Sequence, residues 1–445
     1  MYVKSSRAAQ RLATLDPSGT VFAEFTALAN KHGAVNLGQG FPALPVPKFI
    51  TDAATAAVSG NGLLHQYTRS EGHIRLAKAL ATYYTAKLGR RALDPLSEIL
   101  TCAGASEAIH CAMQAFINSG DEVIIMQPFY DCYEPSVRFA GGVPVFTSLR
   151  PPPPNDDDGR PAAEKTSRDW EFDIEEIRGK CRRGVTKMIV VNNPHNPIGK
   201  VFTRAELEQI ADVAREFDLL VLADEVYETL SFAEAPFVKF ATLPGMYDRT
   251  ITVGSLGKML GITGWKIGWC LAPAPLTRAI WLIHQYVPFC VATPLQEAAA
   301  VCLEHAITAS PTYFADTAKQ YARLRDRLHA HLAAAGMRPT LPEGGYFILA
   351  DTSNVNVDKA ATTKTGGGHG HDGDDDKDDE RRDYAVCREL TEHALVTAIP
   401  PSAFYSAENK ADLAAAGRLA RFAFCKNEEM LDDAGAKLKA YFKKG

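Results

Sequence analysis

From Ile99 onward the sequence alternates short apolar runs with amphipathic stretches of helical period, and no other feature restricts the fold as strongly. The runs are Ile99 to Cys102, Val123 to Met126, Met188 to Val191, Leu219 to Ala223, Ile251 to Val253 and Ile267 to Leu271. Most are apolar on both faces, a pattern of strands in a sheet covered on each side. An α/β fold is expected, with a mainly parallel central sheet covered by helices. Ligands of such sheets collect beyond the carboxyl ends of the strands. The polar residues that follow each run are therefore the candidates for chemistry.

Around this core the sequence predicts a short helix over Val21 to Ala29 and an extended, proline-punctuated segment over Val35 to Pro47. Ile74 to Leu88 repeats apolar residues at helical spacing and reads as a core-facing helix. Trp281 to Cys302 and Tyr313 to Ala335 read as long helices, Pro342 to Ala350 as a turn into a strand, and Tyr384 to His393 as a helix. Leu419 to Phe424 reads as an alternating strand. Pro151 to Asp169 is a polar, proline-rich loop. Residues 366 to 383 are of low complexity and are expected to be disordered, His369 and His371 lying among glycines and aspartates without fixed geometry for a metal.

The 445 residues allow two or three domains. A net charge of -5, with no zinc-finger or helix-turn-helix spacing, gives no reason to expect nucleic acid. Nine scattered cysteines without a Cys-x-x-Cys pair suit a reducing compartment. No apolar run approaches the roughly 20 residues that span a bilayer. The first residues are basic and free of acids until Asp16, so a short mitochondrial presequence is the alternative to a cytoplasmic protein.

After the Ile251 run comes a glycine-rich turn carrying Ser255 and Lys258, with Lys266 eight positions later. A lysine that attacks a carbonyl must be held neutral by burial or a nearby cation. A second, charged lysine holds an anion, and glycines let backbone approach it. Together these describe a carbonyl cofactor bearing a phosphate, pyridoxal phosphate. A surface turn with solvated lysines is the competing reading, and this turn alone does not choose between them.

Other junctions point the same way. Gly104-Ala105-Ser106-Glu107 opens a helix after the Ile99 run, offering free N–H groups to an anion; an ordinary helix cap reads identically. Asn192 to Gly199 sets two prolines and three asparagines after the Met188 run, more constraint than a turn requires. Asp224 ends a buried run, where a carboxylate is costly without a positive partner such as a pyridinium nitrogen, and Tyr227 is close enough to reach the ring oxygen. A helix cap is the alternative for Asp224. Tyr130 could stack on a flat ring or simply pack in the core. Arg421, among apolar residues, calls for an anion such as a substrate carboxylate, unless it lies in solvent on an edge strand.

Taken in this order, the motifs resemble the class I aminotransferases of PLP-dependent transferase fold type I. The chain is most similar to the kynurenine-oxoglutarate transaminase, glutamine transaminase K and cysteine-conjugate β-lyase group. The closer likeness rests on Val35-Asn-Leu-Gly-Gln-Gly-Phe-Pro42, Gln66-Tyr67, Asp121-Glu-Val-Ile-Ile125, Pro128-Phe-Tyr-Asp-Cys-Tyr-Glu-Pro135, Gly264-Trp-Lys-Ile-Gly-Trp269 and Arg421-Phe422. It extends from about Arg7 to the end, outside the loop near 151 to 168 and an insertion near 355 to 382. Because the family's arm starts near Arg7, it favours the cytoplasm.

The resemblance implies that Lys258 binds the cofactor covalently and, once released, carries the proton. Asp224 would pair with the pyridine nitrogen, Asn196 and Tyr227 with the ring oxygen, and Tyr130 with the ring face. Ala105, Ser106, Ser255 and Lys266 would hold the phosphate, joined by Tyr67 of the partner subunit in a homodimer with a shared site. Arg421, Asn196 and the Gly40 backbone would bind the substrate carboxylate, with Asn192 in support. It also implies a smaller α/β domain: an arm at 1–20, a small domain formed by 21–48 and 311–445, and a large cofactor domain at 49–310. Phe22 stands where mammalian members have tryptophan, and Phe289 is followed by Cys290 where they have histidine, both at positions lining the side-chain pocket. Pro401 replaces a usual glycine.

The expected reaction is ping-pong transfer of an amino group from an aromatic, sulfur-containing or glutamine-like amino acid to a 2-oxo acid, with β-lyase activity on the side. A methionine-preferring relative is an alternative. More distant ones are an aminocyclopropane carboxylate synthase-like lyase and a cofactor-free binding protein.

Overall fold

The computed structural model describes residues 12, 19–89, 92–152, 165–353, 355, 381–406 and 409–443. Most of residues 1–20 and of the expected insertion, with His369 and His371, lie outside them.

All six apolar runs become strands, and among the described residues the large sheet has eight. Their spatial order is Ile99–Cys102, Gly268–Leu271, Thr250–Ser255, Leu220–Asp224, Thr186–Asn192, Glu122–Gln127, Val143–Arg150 and Glu171–Phe172. The pairings from Thr250–Ser255 through to Val143–Arg150 are parallel. Gly268–Leu271 is antiparallel to both of its neighbours. Two reversals cancel, so Ile99–Cys102 runs with the parallel set and delivers its carboxyl end to the same edge as Asp224 and Ser255.

Both faces of the sheet are covered, as the runs require. Val123 and Ile125 join Ile109, Met113 and Leu222 in a core on one face, whereas Ile124 and Met126 meet Leu207, Ile210 and Ala211 on the other. The second face is covered by the helix Arg204–Glu216, which starts at a capping box between Thr203 and Glu206. A smaller antiparallel sheet joins Arg338–Pro339, Phe347–Asp351 and Leu419–Ala423. Val35–Asn36 pairs in parallel with Val396–Thr397, so the proline-punctuated early segment is tied to the late part of the chain.

The structure corrects four expectations. Trp281 to Cys302 is not one helix but parts of two, Ala274–His284 and Thr293–Thr308. Pro288 breaks the ladder, and Phe289 adopts a left-handed φ of 67°. Val143–Arg150, absent from the expected runs, is a strand despite Pro144; its short outer neighbour pairs only at Leu149 and Arg150, leaving Pro144 where no donor is needed. Leu419–Ala423 is buried along its whole length rather than alternating.

Finally, Arg381 to Asp383 belong to ordered structure, not to a disordered tract: Asp383 lies in the helix Arg382–Glu392. Its carboxylate is fully buried, accepting from Ser402 N at 2.7 Å and Ser402 Oγ at 3.0 Å. Asp383→Ala should therefore cost about 1–3 kcal/mol by leaving those donors unmet, read as a lower urea midpoint at unchanged m-value.

Candidate active site

The carboxyl edge of the large sheet opens on a cavity of about 250 Å³, lined by Phe22, Gly40, Ala105, Ser106, Tyr130, Asn196, Asp224, Tyr227, Ser255, Lys258, Lys266 and Arg421. Residues scattered over most of the sequence meet there because each follows a strand or lies in the smaller sheet that faces this edge.

Lys258 sits in the short helix Leu256–Met259, directly after the strand Thr250–Ser255. Its Nζ donates to Tyr346 Oη at 2.6 Å and lies 3.5 Å from Gly40 O. Burial lowers its pKa to about 8, with Lys266 and Arg421 acting in the same direction and Cys425 and Asp224 opposing. The neutral amine a nucleophile requires is thus accessible near physiological pH.

Asp224 closes its strand fully buried. Burial raises its pKa, opposed by hydrogen bonds from Tyr133 and Val226 N. Tyr133 Oη donates to Oδ2 at 2.5 Å. Among the described residues Lys258 is the one cation acting on this carboxylate, through space rather than as an ion pair. An anion so placed leaves room for an external cation, as a protonated pyridine would supply. The asparagine loop is locked to the same point: Asn192 Nδ2 and Asn193 N donate to Asp224 O, both at 3.0 Å, and Asn192 Oδ1 accepts from Asn196 N at 2.7 Å.

On the far side, the helix Ala105–Phe116 presents its first N–H groups to the cavity. A Cβ at Gly268 would stand 2.6 Å from Ala105 N, and one at Gly104 would stand 3.1 Å from Lys266 Nζ. Backbone donors and an ammonium therefore converge on ground that only glycine leaves open, with the Ser106 and Ser255 side chains beside them. This is an anion cradle. A phosphate end, a carbonyl-seeking lysine and a carboxylate for a ring nitrogen fit pyridoxal phosphate, with Tyr130 and Tyr227 left to meet the ring.

Arg421 is buried and not on a solvated edge. Phenyl rings of Phe347, Phe404 and Phe22 lie 4.1, 4.8 and 5.2 Å from its guanidinium carbon. It donates to Gly38 O at 2.9 Å and Asn196 Oδ1 at 3.2 Å, while Nε has no partner. Burial brings its pKa down to about 10. Its hydrogen-bond acceptors are neutral and Asp131 acts on it only through space, so the guanidinium has donor capacity left for an incoming anion.

Three expected residues are not brought in. Tyr67 is 83% exposed, and Phe289 and Cys290 are also outside the cavity; Tyr67 and Phe289 meet edge to face at 5.2 Å on the surface. Tyr133, Tyr346 and Phe347 belong to the site without having been singled out. For Tyr133 the available signal is its position three residues beyond Tyr130, and for Tyr346 its place where the Glu343-Gly-Gly turn enters the strand Phe347–Asp351.

The model of the family "Aminotransferase class I and II" matches residues 32–434. Over 419 residues the chain is 42% identical to the kynurenine–oxoglutarate transaminase of Dictyostelium discoideum, covering 93% of this chain and 92% of that protein. Its structure is similar to that of Bna3p from Saccharomyces cerevisiae, with a TM-score of 0.86, 30% identity and coverage of 98% and 99%. It is also similar to YbdL of Escherichia coli, which has a methionine aminotransferase function, with a TM-score of 0.82, 29% identity and coverage of 97% and 99%.

Proposed function

Starting from a chain that belongs to the class I and II aminotransferases, a pyridoxal 5'-phosphate family, we propose that its amino donors are L-amino acids with aromatic, sulfur-containing or glutamine-like side chains. The acceptor is a 2-oxo acid, and the two half-reactions alternate on one site. The bound cofactor supplies an electron sink for the Cα–H bond.

The observation that carries this reading is Arg421. Among the described residues that line the cavity it is a buried cation with no hydrogen-bonded carboxylate, open to the α-carboxylate common to donor and acceptor, and it is walled by phenyl rings. Lys258 and Lys266 have other tasks, so among the described residues the cavity is lined by no further cation for a side-chain carboxylate. Neutral side chains are favoured. Phe22, close to both Arg421 and Phe404, forms the wall such a side chain would meet.

Lys258 moves the proton, Asp224 holds the ring nitrogen charged, and Tyr227 and Asn196 serve the ring oxygen. Tyr130 faces the ring, while Ala105, Ser106, Ser255 and Lys266 grip the phosphate. Gly40 supports the substrate carboxylate. A good leaving group at Cβ would be expelled by the same electrons, giving cysteine-conjugate β-lyase activity on the side.

Leu63, Tyr67, Tyr286, Val287 and Phe289 are exposed apolar side chains, Tyr67 against Phe289, and burying them against a second copy of the chain supports a homodimer in which Tyr67, Phe289 and Cys290 serve the partner's cavity. The pairing of Val35–Asn36 with Val396–Thr397 supports grouping 21–48 with 311–445 as the smaller domain. Nine free cysteines support a cytoplasmic setting. Among the described residues no helix is long and apolar enough to cross a membrane.

A methionine-preferring reading draws on Phe22, smaller than tryptophan, and on the likeness to YbdL. The test is to follow the cofactor's visible band as kynurenine, methionine, glutamine, phenylalanine or aspartate is added. Neutral donors should convert it at least about tenfold faster than aspartate. Faster conversion by aspartate would refute the proposal.

A further inference from the structure

We infer that Tyr346 is a positioning residue for Lys258, fixing the direction in which the released amine presents its lone pair; this rests on reading Lys258 as the cofactor-binding lysine. The argument is a count of protons. Tyr346 has one hydroxyl hydrogen, and its oxygen lies 2.6 Å from Gly40 O and 2.6 Å from Lys258 Nζ. The Gly40 carbonyl can only accept, so the tyrosine proton is committed there. The neighbouring Tyr227 hydroxyl carries a hydrogen of its own to donate to the Tyr346 oxygen, so it leaves this count unchanged. Toward the lysine, Tyr346 is therefore an acceptor. One N–H of Lys258 is directed at the tyrosine oxygen, and the lone pair is left for the cavity.

Packing makes the arrangement rigid. Tyr346 is fully buried, its ring 5.0 Å from that of Tyr227, 4.8 Å from Phe347 and 6.3 Å from Tyr321. It stands at the entry to the strand Phe347–Asp351, which pairs with the strand carrying Arg421. The receiving backbone is equally fixed. Arg421 holds Gly38 O, and the buried Lys426 ammonium donates to Gln39 O at 3.0 Å and Phe41 O at 2.9 Å. Gly38 to Phe41 thus have every carbonyl engaged, and Tyr346 joins this segment to the amine. Lysine placement is linked through one hydroxyl to the backbone beside the substrate carboxylate.

The test is Tyr346→Phe, which keeps the ring and removes the oxygen, measured first on cofactor-free protein. The rate at which added pyridoxal phosphate develops its Lys258-dependent band is followed against pH in wild type and variant. The groups facing this amine are Asp224, Cys425, Lys266, Arg421, Tyr227 and Tyr346 itself. Losing an acceptor that favours the ammonium should move the midpoint acidward by about one pH unit. In the loaded enzyme, turnover should fall about tenfold or more, while the isotope effect from a Cα-deuterated donor rises as proton transfer slows.

An unchanged midpoint together with an unchanged isotope effect would overturn the inference and leave the proposed function standing. If wild type develops no band, the reading of Lys258 fails and this inference goes with it. A variant that fails to fold, judged by circular dichroism, would make Tyr346 a packing residue and overturn the positioning role.

Discussion

Replacing Lys258 by alanine is expected to lower transaminase turnover by about 10,000-fold, because covalent capture of the cofactor and proton transfer both depend on one amine. The fold should survive, since the substitution removes a buried cation rather than a packed ring. Asp224, Lys266 and the start of the helix Ala105–Phe116 remain to hold pyridoxal phosphate without a covalent link. The variant should therefore bind cofactor yet fail to convert it to the pyridoxamine form when an amino acid is added. The sign of the pH dependence follows from the amine's pKa of about 8. Below it Lys258 is mostly an ammonium and cannot attack; above it the neutral form prevails. Loading of cofactor-free wild type should accelerate about tenfold per pH unit on the acid side and level off beyond that value. A flat profile between pH 6 and 9 would contradict the assignment.

Arg421→Met is expected to separate function from stability. Truncating a buried charged anchor costs about 2–5 kcal/mol of binding, so kcat/KM should drop at least about 30-fold. Donor and 2-oxo acid share the α-carboxylate, so both half-reactions should suffer alike while cofactor content is unchanged. Arg421→Lys should recover little, because a single ammonium cannot reproduce the planar fork. Yet without substrate the methionine variant should lie within about 1 kcal/mol of wild type in stability, because relief of a buried guanidinium offsets the donors lost to Gly38 O and Asn196 Oδ1. Denaturant melts of the cofactor-loaded proteins without substrate would check this. A loss of stability alongside unchanged kinetics would mean that Arg421 is structural.

The sequence made the sheet legible because buried strands must be apolar on both faces, and it made Asp224, Asn196, Ser255 and Lys258 legible because polar residues just beyond such strands face the ligand edge. Tyr133 and Tyr346 were not legible for the opposite reason. A buried tyrosine looks like core until the position of its hydroxyl is known, and here one hydroxyl meets Asp224 while the other meets Lys258 and Gly40. The break near Pro288 did carry a signal, a proline inside a helical pattern, outweighed by the apolar residues around it. Asp383 was merged with its charged neighbours because composition does not register that one carboxylate caps Ser402. Tyr67, Phe289 and Cys290 enter through family resemblance, and the fold of one chain leaves them out of the cavity lining.

The antiparallel strand Gly268–Leu271, wedged between Ile99–Cys102 and Thr250–Ser255, also bears on biogenesis. A nascent chain extruded through Asp224 already contains the helix Ala105–Phe116, but the strand Ile99–Cys102 that leads into it has no edge to pair with until the wedge arrives. The contact of Arg421 with Gly38 closes later still, since the two are 383 positions apart. A polypeptide clipped before the smaller sheet closes would lack Tyr346 and Arg421, the groups that meet Lys258 and Gly38. Bound pyridoxal phosphate should raise the apparent stability of finished molecules by mass action.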